Sequence, residues 1–215
     1  MKIEDIKGSY DYIASIGDNC QPAHQLDRLQ LRKSSGPFDW IATRSLDVIS
    51  LLISNKFTNF MDNNYLVIDG QDPGSHYYNV RETLYNLYSM HDFPIRNDWT
   101  ASYTEAKAKF DRRAQRFLHQ IENCQSILLV RLMGTSEEAV RLKSVLSGIV
   151  KGNFTILLIN YHDNNEVLDL NLIDENICSV LIPNDPNRWE GNDDAWSELF
   201  NGITLTGNLL GNNDF

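Results

Sequence analysis

The sequence predicts an α/β protein in which a single domain has a mostly parallel sheet, helices on both faces and an irregular insertion in the middle of the chain. A length of 215 residues suits one sizeable domain, which we expect to span residues 1–215. Apolar runs of strand length lie at residues 127–132, 155–161 and 177–182, and helical patterns alternate with them. Continuous apolar strands that alternate with helices are typical of a parallel sheet covered on both faces.

The first predicted strand lies near the N-terminus, at residues 12–16, and a helix follows it. Because its composition matches that of the later strands, we expect it to join their sheet. Residues 56–99 are less regular and rich in Tyr, Asn and Asp, with Tyr77-Tyr78 and residues 84–90 as candidate strands. We interpret this segment as the insertion or as a cap over the sheet.

The second half of the chain has clearer helical patterns. Residues 104–123 place apolar side chains on one helical face. Thr135-Ser136-Glu137-Glu138 has the form of a capping box and opens a helix that we expect to end at Gly152. A short helix is predicted around residues 195–200, and we expect residues 207–215 to form a loosely ordered tail.

Composition and charge exclude several classes of protein. The formal net charge of -10 argues against a nucleic-acid-binding surface, because phosphate neutralisation needs clustered Lys and Arg. We interpret the one basic cluster as a solvated helix face; its members are Lys107, Lys109, Arg112, Arg113 and Arg116. No apolar run approaches the roughly 20 residues of a membrane span, and the N-terminus lacks a signal-peptide pattern, so we expect a cytoplasmic protein.

The cysteines single out one candidate nucleophile. Three cysteines without CxxC spacing favour neither a disulfide framework nor a structural zinc site, and we expect no metal and no cofactor. Cys20 follows the turn Gly17-Asp18-Asn19 between the first strand and the next helix. Backbone N–H groups at a helix N-terminus favour a thiolate, and neighbouring amides can stabilise an oxyanion. We therefore expect Cys20 to attack an acyl carbon, with Gly17, Asp18 and Asn19 at the substrate or oxyanion.

Polar residues also follow two other predicted strands. Ligands of open α/β sheets bind outside the carboxyl ends of parallel strands, where Arg131 and His162 would meet Cys20. Arg131 suits a clamp for a substrate carboxylate or, equally, an ion pair that fixes the sheet edge. His162 suits a substrate-binding residue or a base.

A thiol nucleophile usually needs a histidine as its base, and His91 and His162 are the two that precede an aspartate. Asp92 is poorly placed to orient His91, since adjacent side chains in an extended segment point in opposite directions. Asp39, in a Gly-Pro turn beside Trp40, is therefore our first candidate for the orienting acid and Asp92 the second. Asp39 could also cap the next helix or bind loop amides.

Several of these motifs occur together in one known family. In the same order along the chain, they resemble the bacterial family DUF1796, described as "putative papain-like cysteine peptidase"; the matching segments are Ser15 to Cys20, Leu31-Arg32, Ser35 to Trp40, His91-Asp92-Phe93, Arg112-Arg113 and Val130-Arg131. The similarity covers roughly residues 12–161. The resemblance implies a thiol protease or related hydrolase, with Cys20 as nucleophile and His91 as base.

The family description and the predicted fold imply different kinds of sheet. Papain-type enzymes set their cysteine on a helix against a mainly antiparallel sheet, whereas the second half of this chain predicts a parallel one. We favour the parallel sheet and interpret "papain-like" as a Cys–His pair, which recurs on unrelated folds.

The resulting hypothesis is a cysteine-dependent hydrolase that acts on a peptide, an amide or another acyl substrate. The sequence does not choose between peptidase and amidase chemistry. The alternative is a non-catalytic ligand-binding or carbohydrate-associated domain in which residues 17–20 cradle a polar ligand. Under both hypotheses, we expect the protein to bind neither nucleic acid nor a membrane.

Overall fold

The computed structural model describes residues 1–95 and 98–207, so residues 208–215 of the predicted tail lie outside the described part. The helices are α1 (Gln21–Arg28), α2 (Leu46–Ser54), α3 (Tyr103–Asn123), α4 (Ser136–Ser147) and α5 (Asp193–Phe200), with short 3-10 helices at Ile3–Ile6, Asn63–Tyr65 and Trp99–Ser102. The strands are β1 (Gly8–Tyr10), β2 (Tyr12–Ser15), β3 (Ile41–Ala42), β4 (Leu66–Ile68), β5 (Val80–Glu82), β6 (Leu87–Ser89), β7 (Ser126–Leu132), β8 (Asn153–His162), β9 (Leu168–Asp169), β10 (Ile177–Pro183) and β11 (Ile203–Leu205).

A five-stranded sheet forms the centre of the molecule. Its strand order is β2-β7-β8-β10-β9, in which the first four strands run parallel and β9 pairs with β10 in the antiparallel sense. These four strands are the apolar runs of the sequence, including the N-terminal one. The predicted α/β class with a mostly parallel sheet is therefore confirmed.

Helices cover both faces of this sheet, as predicted. Along β7, Ile127 and Leu129 pack into a core with residues of α2, α3 and α4, while Leu128 and Val130 pack into a second core with residues of α1 and α5. Both faces of the strand are thus buried, which explains why its sequence is continuously apolar instead of alternating.

The middle of the chain forms a second sheet. Strands β3, β6, β5 and β4 lie in that order and pair in the antiparallel sense. Three of the four fall within residues 56–99, so this segment is more regular than expected. Strand β6 lies inside the predicted run 84–90, but Tyr77-Tyr78 is not a strand, since Tyr77 makes an isolated bridge with Pro94.

Helix α4 begins as predicted and ends earlier. The Thr135 hydroxyl accepts the Glu138 N–H at 3.2 Å, and the Glu138 carboxylate accepts the Thr135 N–H at 3.0 Å, which confirms the capping box. The helix ends at Ser147 with Gly148 as its cap, not at Gly152. A Cβ atom on Gly152 would lie 2.5 Å from the Cys124 carbonyl oxygen, so this glycine is required by the close approach of another segment.

No helix within residues 1–95 and 98–207 combines the length and the apolar character needed to cross a membrane.

Candidate active site

A tight turn between β2 and α1 carries Cys20. Gly17 and Asp18 both adopt positive φ angles, of 80° and 82°. A Cβ atom on Gly17 would lie 2.5 Å from the Thr43 hydroxyl oxygen, so only glycine fits both the backbone angle and the space. The turn places Cys20 at the N-cap of α1, as the sequence predicts.

The thiol of Cys20 lies beside His91. The Sγ to Nε2 distance is 3.6 Å, and His91 lies two positions after Ser89, the last residue of β6. Cys20 is buried, whereas His91 is exposed. The rings of Trp40 and Tyr77 meet the imidazole edge-on, with centroids at 5.9 and 6.4 Å. The structure thus brings together the thiol and the imidazole that the sequence analysis predicts as nucleophile and base, and they come from segments that follow two different sheets.

The surroundings of Cys20 disfavour a free thiolate. Burial raises the pKa of the Cys20 thiol to about 11, and the charges of Asp39 and Asp92 act in the same direction, while the residue's own backbone N–H acts in the opposite one. The lowering expected from the helix N-terminus is therefore outweighed by burial.

The two candidate orienting acids are both buried but bind elsewhere. Asp39 Oδ2 accepts hydrogen bonds from Arg32 Nη1 at 2.7 Å and from the Gly36 N–H at 2.8 Å. Asp92 accepts one from the Ser89 hydroxyl at 2.7 Å and forms an ion pair with Lys109. In the part of the chain that the structure describes, neither carboxylate hydrogen-bonds to His91. Both act on the site through their charge.

Three basic residues of α3 interact with these carboxylates or with the loop that carries Asp39. Besides the Lys109 pair with Asp92, Arg116 Nη2 donates to the Ser35 carbonyl at 2.6 Å, and half-buried Arg113 interacts electrostatically with Asp92 and Asp39. The prediction of a solvated helix face is wrong for these three. The sequence pattern is misleading because their partners lie in loops distant along the chain.

Arg131 is buried within the turn that carries Cys20. Its Nε donates to the Met133 carbonyl at 2.7 Å, its Nη1 to the Ile16 carbonyl at 3.1 Å, and its Nη2 to the Thr43 carbonyl at 2.7 Å. Asp18 adds an ion pair at 3.6 Å. Each of its three nitrogens already has a partner in the fold. This arrangement favours the ion pair at the sheet edge over the clamp for a substrate carboxylate, the two roles considered for Arg131.

The predicted oxyanion donors differ in their availability. The Gly17 N–H donates to the Ser15 hydroxyl at 3.1 Å and the Asp18 N–H to the Thr43 hydroxyl at 3.2 Å, so both amides serve the turn. Asn19 Oδ1 accepts the Gln21 N–H at 2.9 Å, which fixes the side chain and leaves its Nδ2 group as a donor.

His162 is partly buried at the end of β8, where its Nε2 lies 2.7 Å from the Glu166 carbonyl oxygen. The residue of this strand end that contacts α1 is Tyr161, whose hydroxyl donates to Gln21 Oε1. Sequence reasoning missed Thr43, Ser89 and Lys109, which fix the turn and the His91 loop; none lies in a motif that signals such a role. Within the described ranges, no three His, Cys, Asp or Glu side chains are grouped as around a metal ion.

Comparison with known proteins identifies a family for this chain. Residues 11–164 match the model of a family described as "Putative papain-like cysteine peptidase (DUF1796)". The chain belongs to this family. The DUF1796 match includes Cys20 and His91 and confirms the resemblance found in the sequence, while β9, β10, α5 and β11 lie beyond it.

A second match comes from a virus. The chain is 26% identical over 211 residues to an uncharacterized protein of Acanthamoeba polyphaga mimivirus, with 86% of this chain and 95% of the viral protein covered. Similar chains are therefore not confined to bacteria. No solved structure matches the chain.

The structure of this DUF1796 member resolves the conflict between a parallel and an antiparallel sheet. The parallel sheet leads into the turn and helix of Cys20, and the antiparallel sheet leads into His91. Both kinds of sheet are present, each with one member of the pair.

Proposed function

We propose that this protein is a cysteine-dependent hydrolase of the peptidase or amidase type, with Cys20 as nucleophile and His91 as general base and then acid. The observation that carries the proposal is the 3.6 Å separation of Sγ and Nε2 in a turn built to hold the thiol at a helix N-terminus. Membership of a family described as cysteine peptidases supports a peptide or amide substrate at a coarse level.

The mechanism begins from a neutral thiol, because the pKa of Cys20 is raised to about 11. His91, with its proton on Nδ1, accepts the thiol proton at Nε2 as Sγ attacks the acyl carbon. The negative charge passes to the carbonyl oxygen, while the transferred proton stays on the imidazole as an imidazolium. The imidazolium then protonates the leaving group, and water attacks the thioester with His91 again as base.

The oxyanion would lie beside the N-terminus of α1. The Cys20 N–H and the Nδ2 group of Asn19 are the donors that the turn leaves for it, since the Gly17 and Asp18 amides are used within the fold. Donors that are fixed before the reaction stabilise developing charge without reorganisation.

The proposal is tested by acetylation with p-nitrophenyl acetate at neutral pH, followed by peptide mass spectrometry. We expect an acetyl group on Cys20, formed with release of p-nitrophenol and lost again by hydrolysis. Buried Cys124 and Cys178 serve as internal controls. An acetyl group that appears on the three cysteines at equal rates, or on none, would contradict the proposal and favour the ligand-binding alternative.

Substitution of Asn19 by alanine (Asn19→Ala) should lower the rate of Cys20 acetylation by about 10²-fold, the usual effect of losing one oxyanion donor. Asn19→Asp should be at least as slow, because a carboxylate repels the oxyanion. The stopped-flow rate of p-nitrophenol release measures both. A wild-type rate in Asn19→Ala would remove Asn19 from the oxyanion site.

A further inference from the structure

The position of His91 is fixed indirectly. Within residues 1–95 and 98–207, the one polar contact of its ring is Cys20 itself. The next residue, Asp92, is buried and held twice, by the Ser89 hydroxyl at 2.7 Å and by Lys109 of α3. The segment that presents the imidazole is therefore anchored through Asp92.

We infer that Lys109 is a positioning residue that, through Asp92, holds His91 within reach of the Cys20 thiol. This inference rests on the proposed function and adds to it a residue that touches neither thiol nor imidazole. The ion pair is unequal in exposure: 32% of the Lys109 side chain is accessible, but only 3% of that of Asp92. Loss of the lysine would leave a buried carboxylate without its ion-pair partner, which is costly enough to move the segment.

Basic residues of α3 contact the segments on both sides of the site. Lys109, Arg113 and Arg116 are spaced four and three residues apart, so they lie on one face of the helix. Arg116 binds the Ser35 carbonyl in the loop that leads to Trp40, and Lys109 binds the loop of His91. One rigid helix thus fixes the two segments whose rings meet edge-on.

The charge of Lys109 also offsets that of Asp92 at the thiol. The titratable groups that face Cys20 are His91, Asp39 and Asp92; Arg32 pairs with Asp39, Lys109 pairs with Asp92, and Arg113 interacts with both carboxylates. Asp92 opposes loss of the thiol proton. Without Lys109 that opposition grows, so position and charge both predict slower attack by the thiol.

The test compares Lys109→Met with Lys109→Arg and Lys107→Met in the acetylation assay. We expect Lys109→Met to be about 10- to 100-fold slower, the scale of a misplacement of about 1 Å. Lys109→Arg keeps the cation and should restore most of the rate. Lys107 is the matched control, because it pairs with Asp111 on the same helix, away from the site, and its substitution should leave the rate unchanged.

A second readout reports the position of His91 without any substrate. The edge-on rings of Trp40 and Tyr77 shift the NMR signals of the His91 ring protons, and Lys109→Met should reduce these ring-current shifts while Lys109→Arg retains them. Unchanged shifts and an unchanged rate in Lys109→Met would overturn the inference, as would a slow Lys109→Arg with unchanged shifts. If the wild-type protein is not acetylated at Cys20, the proposed function fails, and the ring-current shifts alone decide the role of Lys109.

Discussion

Substitution of His91 by alanine (His91→Ala) should slow the acetylation of Cys20 at pH 7 by about 10³-fold, within the range of general-base catalysis. The thiol of Cys20 has a pKa of about 11, so without a base only about one molecule in 10⁴ carries the reactive thiolate at pH 7. In the proposed mechanism, the wild-type protein avoids this limit because the proton moves to Nε2 during the attack. The rate of p-nitrophenol release measures the difference.

The steepness of the pH dependence distinguishes base catalysis by His91 from attack by a thiolate that forms without a base. In His91→Ala the thiolate fraction rises about tenfold per pH unit below the pKa of about 11, so the rate should climb steadily over that range. The wild-type rate should rise much less, and the two should converge in alkaline solution. His162→Ala is the matched control and should behave as wild type. If it alone is slow, the base is His162 and the assignment of His91 is wrong.

Substitution of Arg131 by methionine (Arg131→Met) should lower the free energy of unfolding by about 3–5 kcal/mol, the usual cost of breaking a buried charge network. The variant leaves the Ile16, Thr43 and Met133 carbonyl groups without their donor and the Asp18 carboxylate without its cation. For a chain of this length, a loss of that size corresponds to a thermal midpoint lower by about 10 °C. Differential scanning calorimetry measures it.

A surface arginine supplies the comparison for this effect. Arg141 forms a two-bond pair with Asp47, at 2.7 and 2.9 Å, but both side chains are about half exposed. Its substitution by methionine should cost less than about 1 kcal/mol, because solvent screens an exposed pair. Equal thermal midpoints for Arg131→Met and Arg141→Met would show that the buried contacts carry no stability of their own.

The parallel sheet could be predicted from the sequence because its strands are long and buried on both faces, which produces continuous apolar runs such as that of β7. The antiparallel sheet could not, since β3 to β6 are three residues long or shorter, too short for a period of two to stand out. Its existence follows from pairing between segments that the sequence does not relate.

Cys20 and His91 could be singled out from the sequence, whereas the contacts of the residues around them could not. Cys20 is signalled by the glycine turn between a strand and a helix, and His91 by its resemblance to a known motif. The directions of Arg131 and Lys109 were not predictable, because a charged residue at a strand end or on a helix face can point either to solvent or to a buried partner. Only the folded chain shows that both turn inward.

The place of β2 in the sheet constrains when the site can form during synthesis. This strand leads directly to Cys20 and lies at the edge of the five-stranded sheet, with β7 as its one neighbour there among the described residues. Because β7 ends at Leu132, the strand that leads to Cys20 has no partner in this sheet until the ribosome has already made His91 and all of α3. During synthesis, the Cys20 thiol therefore stays without its contact to His91 until residue 132 has been made and β7 pairs with β2.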